Sequence, residues 1–117
     1  MGLEDQAERR VRDALADVGF VSGGEFYLAA AAVQRFLEAC QGELLAVIGI
    51  EGFTLLDGKL MPDLDLIADF SSFLRADGTW EVLVRQTMHE ARLFVGHIPP
   101  RPDRWLNFTL VSEAARR

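Results

Sequence analysis

An Asp-Gly pair, Asp57-Gly58, lies between two segments in which apolar residues alternate with other side chains. The segment before it, ELLAVIGIEGFTLL, is β-branched and aromatic, and the segment after it is KLMPDLDLIADF. Such a dipeptide is the strongest short-range signal of a β-hairpin, because both residues accept the positive φ of a tight turn. The sequence therefore predicts an antiparallel hairpin near its centre.

The register of this hairpin conflicts with its apolar pattern. A two-residue turn pairs Leu56 with Lys59 and, counted back, sets Asp65 opposite Ile50, which mixes acid into the apolar face. A shift of one residue restores a uniformly apolar face, which comprises Ala46, Ile48, Ile50, Leu64, Leu66, Ala68 and Phe70. We therefore predict a bulge near Gly52 or Pro62, or a longer loop.

The same shift predicts an acidic face on the other side of the hairpin. Its expected members are Val47, Gly49, Glu51, Phe53, Asp63, Asp65, Ile67 and Asp69. Like charges on facing strands cost up to about 1 kcal/mol, which a solvated face tolerates and which a cation offsets. That cation is an arginine of the same chain, a metal ion or a basic partner.

Two glycines on this face, Gly49 and Gly52, are expected to leave a shallow recess with apolar edges at Phe53, Ile67 and Trp105. This combination is typical of a protein-binding patch and not of a deep small-molecule pocket. The candidate partner-binding residues are Glu51, Phe53, Asp63, Asp65 and Asp69.

Helical patterns flank the hairpin. A first helix is predicted up to Gly19, and a second from a capping box of Ser22 and Glu25 to Gly42. A third begins after Asp77 or Thr79 and stops at Pro99-Pro100, and WLNFTLVSE alternates as a last strand. The predicted fold is one α+β domain over residues 1–117, of order ααββαβ, with helices packed on a small three-stranded sheet that contains the antiparallel hairpin.

Charge narrows the classes of partner. The 117 residues carry a net charge of −6, and between Glu43 and Asp77 seven carboxylates stand against Lys59 and Arg75, a net −5. This argues against nucleic-acid binding, which depends on cations that neutralise phosphates, and favours a basic partner. No apolar run is long enough to cross a membrane, and the N-terminal 19 residues lack a signal-peptide core, so we expect a cytoplasmic protein.

Catalytic motifs are missing from the chain. GxSxG and GxGxxG do not occur, His89 and His97 are expected at the surface, and Cys40, the single cysteine, is expected to be buried and inert. We therefore expect no enzyme and no cofactor. Two alternatives stay open: a metal-dependent enzyme that uses Asp63, Asp65 and Asp69, and an oligomeric accessory protein, such as a homodimer, that packs through the hairpin edge or the first helix.

The segment GIEGFTLLDGKLMPDLDLIADFSSF, the helix that follows at Trp80 and the aromatic C-terminal strand together resemble small bacterial immunity proteins of polymorphic toxin systems. The resemblance covers about the C-terminal two thirds of the chain. It implies a compact, cytoplasmic protein that covers the active site of a cognate toxin. Many such toxins are nucleases with basic clefts, where a carboxylate-lined face would imitate phosphate.

Overall fold

The computed structural model describes residues 6–99 and 101–116. The helices are α1 (Gln6–Ala14), α2 (Val33–Gly42), α3 (Trp80–Val95) and α4 (Glu113–Arg116); the strands are β1 (Gly19–Ser22), β2 (Glu25–Ala29), β3 (Ala46–Leu56), β4 (Lys59–Asp69) and β5 (Arg104–Val111). The strands form one antiparallel sheet in the order β1-β2-β5-β3-β4. The α+β class is confirmed, whereas the three-stranded sheet and the order ααββαβ are wrong in detail.

The largest difference lies in the first third of the chain, where β1 and β2 form a hairpin. Its turn is Gly23-Gly24, with φ of +58° and +80°, and Ser22 pairs with Glu25 across it. Glycine reaches such angles without steric cost, so the pair makes a tight hairpin turn. The predicted capping box is wrong, and the second helix begins at Val33, after a 3₁₀ turn over Ala30–Ala32.

Gly19 also has a different role from the predicted helix cap. Its backbone is extended, with φ of −149°, and α1 has already ended at Ala14. A Cβ atom on Gly19 would overlap Cζ of the Phe26 ring. The missing side chain therefore makes room for the Phe26 ring, which is buried in the core.

The main core lies between one face of the sheet and helices α1, α2 and α3. Its largest fully buried members are Leu15, Leu28, Leu37, Leu45, Ile50, Met88 and Leu106. A smaller cluster surrounds Trp80 at the start of α3, where the indole N–H donates to the Leu44 carbonyl at 2.7 Å. Thr79 caps α3 by accepting from the Val82 amide, as predicted. None of the helices in the described part of the chain is long and apolar enough to span a membrane.

The central hairpin resolves its register conflict with a bulge at the predicted place. Leu56 pairs with Lys59, Gly52 with Asp63, and then Glu51 with Ile67, so residues 64–66 bulge out of the β4 ladder. The Leu66 side chain folds back over Gly52 and packs against the core. A second irregularity, where β3 runs beside β5 between Val47 and Gly49, turns Val47 into the core. The prediction that Val47 shares the acidic face is wrong for this reason.

We expect Gly52→Ala to destabilise the fold by about 1–3 kcal/mol, the usual cost of overpacking. The new Cβ would lie 2.5 Å from Cβ of Leu66, so the bulge would have to move. Gly42→Ala is the control, since its Cβ meets nothing within 4 Å and alanine is favoured in helices by about 0.5–1 kcal/mol. Urea unfolding of both variants measures the difference, and equal stabilities would contradict the role given to Gly52.

Cys40 is fully buried on α2, and this burial, with a smaller contribution from the Glu8 carboxylate, raises the pKa of its thiol to about 12. We expect a disulfide reagent to label Cys40 only after unfolding, at any pH up to the ordinary thiol value of 9.0. The thiol ionises at a lower pH in the unfolded chain than in the folded protein. The contribution of the buried, neutral thiol to the free energy of unfolding is therefore lost as the pH rises from 9.0 towards 12. Rapid labelling of the native protein would contradict this burial.

Candidate functional site

The side of the sheet that faces away from the main core is called the outer face. Cross-strand partners share a face, so the register assigns its residues. One row across the strands is Phe20, Tyr27, Asn107, Glu51 and Ile67; a second is Ala29, Trp105, Phe53 and Pro62; a third is Thr109, Gly49 and Asp69. Their neighbours along each strand, among them Leu28, Ile50 and Leu106, point into the core.

Four aromatic side chains form an aromatic cluster on the outer face: Phe20, Tyr27, Phe53 and Trp105. Phe20 stacks on Tyr27 with ring centroids 5.6 Å apart and meets the edge of Trp105 at 4.8 Å. Tyr27 contacts Phe53 edge to face at 5.2 Å. All four are half-buried. They cover one another, so that each ring keeps only the smaller part of its surface in solvent, and a group of Phe, Tyr and Trp rings at the surface is typical of a protein-binding anchor.

Three exposed carboxylates, Glu25, Glu51 and Asp69, lie on the same face. Hydrogen bonds from the Ser71 hydroxyl and backbone amide hold the pKa of Asp69 below its ordinary value. The backbone amide of Ser71 donates to Asp69 Oδ1 at 2.8 Å. The side-chain amide of Asn107 donates to Glu25 Oε2 at 3.3 Å and to the Phe26 carbonyl at 3.0 Å. Glu25 and Asp69 are therefore held in place by neighbouring groups.

A recess opens where Gly49 interrupts the outer face. It has a volume of about 360 Å³ and is lined by Glu51, Ile67, Asp69 and Thr109, among others. The predicted shallow recess is confirmed at Gly49. The prediction is wrong for Gly52, which is buried on the core side beneath Leu66.

The five predicted partner-binding residues do not all meet. Glu51, Phe53 and Asp69 share the outer face. Asp63 pairs with Gly52 and therefore points to the core side, where its Oδ2 lies 3.9 Å from a guanidinium nitrogen of the buried Arg104. The single acidic face predicted for the hairpin is thus wrong for Asp63. Asp65 lies exposed inside the bulge, where no strand partner sets its direction.

This separation bears on the metal alternative, because the register points Asp63 and Asp69 to opposite faces. Within residues 6–99 and 101–116, no group of three or more His, Cys, Asp or Glu residues is arranged to hold a metal ion. Among the described residues, β4 therefore has no set of ligands that supports the metal-dependent alternative.

The aspartates of β4 also have a structural explanation. β4 is an outermost strand of eleven residues, and such edges pair with other chains unless charges, proline or bulges prevent it. Lys59, Pro62, the bulge at residues 64–66 and the three aspartates provide all of these devices. Part of the acidic pattern thus protects the edge from pairing and need not mark a binding site.

Several outer-face residues were missed by the sequence reasoning, namely Phe20, Glu25, Tyr27 and Asn107. Glu25 and Tyr27 lie in the predicted second helix, and Phe20 lies between the two predicted helices. Gly-Gly between short apolar alternations is itself a hairpin signal, and it would have placed Phe20 beside Tyr27. No local pattern indicates that Tyr27 pairs with Asn107, because 79 residues separate them in the chain.

Searches against protein-family models, curated proteins and solved structures find no match to this chain. Its functional interpretation is accordingly based on the outer face and its surroundings.

We expect Asp63→Asn to lower the free energy of unfolding by about 1 kcal/mol, between the values for exposed and for buried ion pairs. Asparagine keeps the oxygen that accepts from the Asp65 amide at 3.1 Å but removes the charge opposite Arg104. Asp65→Asn is the matched control, and we expect it to leave stability unchanged. Urea unfolding tests both, and an equal response at the two positions would show that Arg104 does not depend on Asp63.

Proposed function

We propose that this chain is a non-enzymatic protein-binding module that docks a basic protein on its outer face. The observation that carries the proposal is the aromatic cluster, which lies partly exposed on a sheet face with Glu25, Glu51 and Asp69 on the same side. Tyr and Trp side chains dominate the binding energy of many protein interfaces, and surrounding polar groups supply specificity.

The charge of the chain supports a basic partner. With a net charge of −6, the protein attracts cationic surfaces over distances of about a Debye length. Exposed carboxylates at the rim of an interface mainly accelerate association, whereas desolvated aromatic anchors slow dissociation. The outer face offers both kinds of group side by side.

Within this class we propose an immunity protein that neutralises a basic, nuclease-type bacterial toxin. The support is the resemblance of the hairpin, the Trp80 helix and the aromatic last strand to such proteins, together with the carboxylates of the outer face. In a nuclease cleft built for phosphates, Glu51 and Asp69 would occupy phosphate positions and exclude the nucleic acid. The aromatic cluster would then contact the rim of that cleft.

The test is a capture experiment from native lysate at low salt with tagged protein. We expect one basic protein to bind the wild type and to be lost with Glu51→Gln/Asp69→Asn. Asp57→Asn/Asp77→Asn is the control, because it removes the same charge at exposed positions outside the strands of the outer face. Loss of the partner with both double variants would indicate only non-specific charge attraction and would contradict the proposal.

The purified pair then separates the two kinds of contact. Neutralising Glu51 and Asp69 should lower the association rate and its dependence on salt. Phe53→Ala should instead raise the dissociation rate by about 30-fold or more, as expected for loss of an anchor worth about 2 kcal/mol. Circular dichroism confirms that each variant folds. If none of the three substitutions changes the association or dissociation rate of a partner, that partner does not dock on the outer face.

A further inference from the structure

A cleft separates β2 from β5 at the point where their pairing ends. The two strands pair only from Tyr27 to Ala29, against Asn107 to Trp105. Beyond Asn107, β5 continues beside β3, while β2 leads into the turn at Gly23-Gly24. The gap has a volume of about 250 Å³, and α1 forms its third wall with Glu8 and Arg12.

The lining of the cleft is mostly polar, with carboxylates, and its apolar part is formed by buried aromatic rings. Its apolar lining includes Phe26, Phe36 and Phe108, whose neighbouring ring centroids lie 6.5 Å and 4.4 Å apart. Glu25 and Glu51, both exposed, lie on the outer-face side of the cleft. On the third wall Glu8 accepts from Arg12 at 3.2 Å. Among the described residues of the lining, three carboxylates stand against one guanidinium, which gives this part of the cleft an excess of negative charge.

We propose that this cleft binds the guanidinium group of an arginine side chain. Such a group is planar and weakly hydrated, and it can pack on phenyl rings while its N–H groups donate to carboxylates. An anion would be repelled by Glu25 and Glu51, and a neutral apolar ligand would remove both carboxylates from water without compensation. The lysine ammonium is more strongly hydrated and lacks the flat surface that fits an aromatic lining.

The position of the cleft identifies the source of this arginine, a step that rests on the proposed function. Glu51 lines the cleft and also the recess at Gly49. Glu51 is paired with Asn107 on β5 and with Ile67 on β4, and Asn107 is in turn paired with Tyr27 of the aromatic cluster on β2. A basic protein docked on the aromatic cluster therefore has the cleft within reach of one long side chain. Arginine binding in the cleft would anchor that partner in one orientation.

The test is a titration of ¹⁵N-labelled protein with the capped amino acid N-acetyl-arginine amide, followed by amide chemical shifts. We expect changes concentrated at Phe26, Asn107, Phe108 and Thr109. N-acetyl-lysine amide should bind at least about threefold more weakly, and N-acetyl-citrulline amide, which has the same shape without the charge, should leave the cleft unchanged. Shifts scattered over the acidic surface, or equal binding of the citrulline compound, would overturn the proposal.

Two pairs of substitutions give the matched comparison. Glu25→Gln/Glu51→Gln keeps the size of both side chains and should weaken arginine binding by about fivefold for each charge removed, the upper range for exposed ion pairs. Asp65→Asn/Asp77→Asn removes the same charge from exposed positions that do not line the cleft and should leave the affinity unchanged. An equal loss in both pairs would reduce the effect to net charge and would reject a specific site.

The outcome is separable from that of the proposed function. If capture of a partner requires Phe53 and Asp69 but tolerates Glu25→Gln, and if this protein does not bind the arginine probe, the docking proposal stands and the cleft proposal is rejected. A cleft that binds the arginine probe in a protein that captures no basic partner would retain the guanidinium site and reject its assignment to an interface on the outer face.

Discussion

The packing of Leu66 over Gly52 is the contact on which the rest of the sheet depends. The tight turn at Asp57-Gly58 pairs the ends of β3 and β4 in one register, whereas burial of a single apolar face requires another. Three bulged residues reconcile the two, and the absence of a side chain at Gly52 lets Leu66 fold back into the core. Because of this bulge, Ile67 and Asp69 share the outer face with Glu51, while Ala68 shares the core side with Ile50.

The three aspartates of β4 consequently have different roles. Asp63 lies on the core side within reach of the buried Arg104, where its carboxylate offsets part of the charge of that guanidinium. Asp65 is exposed in the bulge and helps to keep an edge strand from pairing with other chains. Asp69, held by Ser71, faces outwards beside Gly49. A regular alternation in the sequence thus becomes three separate environments once the ladder is interrupted.

The architecture separates folding from the proposed binding. The three longer helices bury their apolar sides against one face of the sheet, and fully buried residues from Val11 to Leu106 meet there. The aromatic cluster lies on the other face, where its rings contact one another and remain partly in solvent. Most of the outer-face side chains contribute little to the main core. The face can therefore carry a binding surface whose chemistry varies without loss of the fold, as is common for sites placed on a rigid sheet.

The sequence by itself determined the features that local chemistry encodes. These are the hairpin at Asp57-Gly58, its bulge, the helix from Thr79 onwards, and the alternation of the last strand. Each depends on residues a few positions apart, whose turn preferences and periodicity are legible in the chain. At Gly23-Gly24 two local signals compete, a hairpin turn and the capping box of Ser22 and Glu25, and only the tertiary structure decided in favour of the turn. It also decided that β2 joins β5, since that pairing depends on which strand edges remain free after the core has packed. The cleft and the contacts of Phe20 and Tyr27 with Trp105 and Phe53 arise from this long-range pairing, and for that reason no local pattern predicts them.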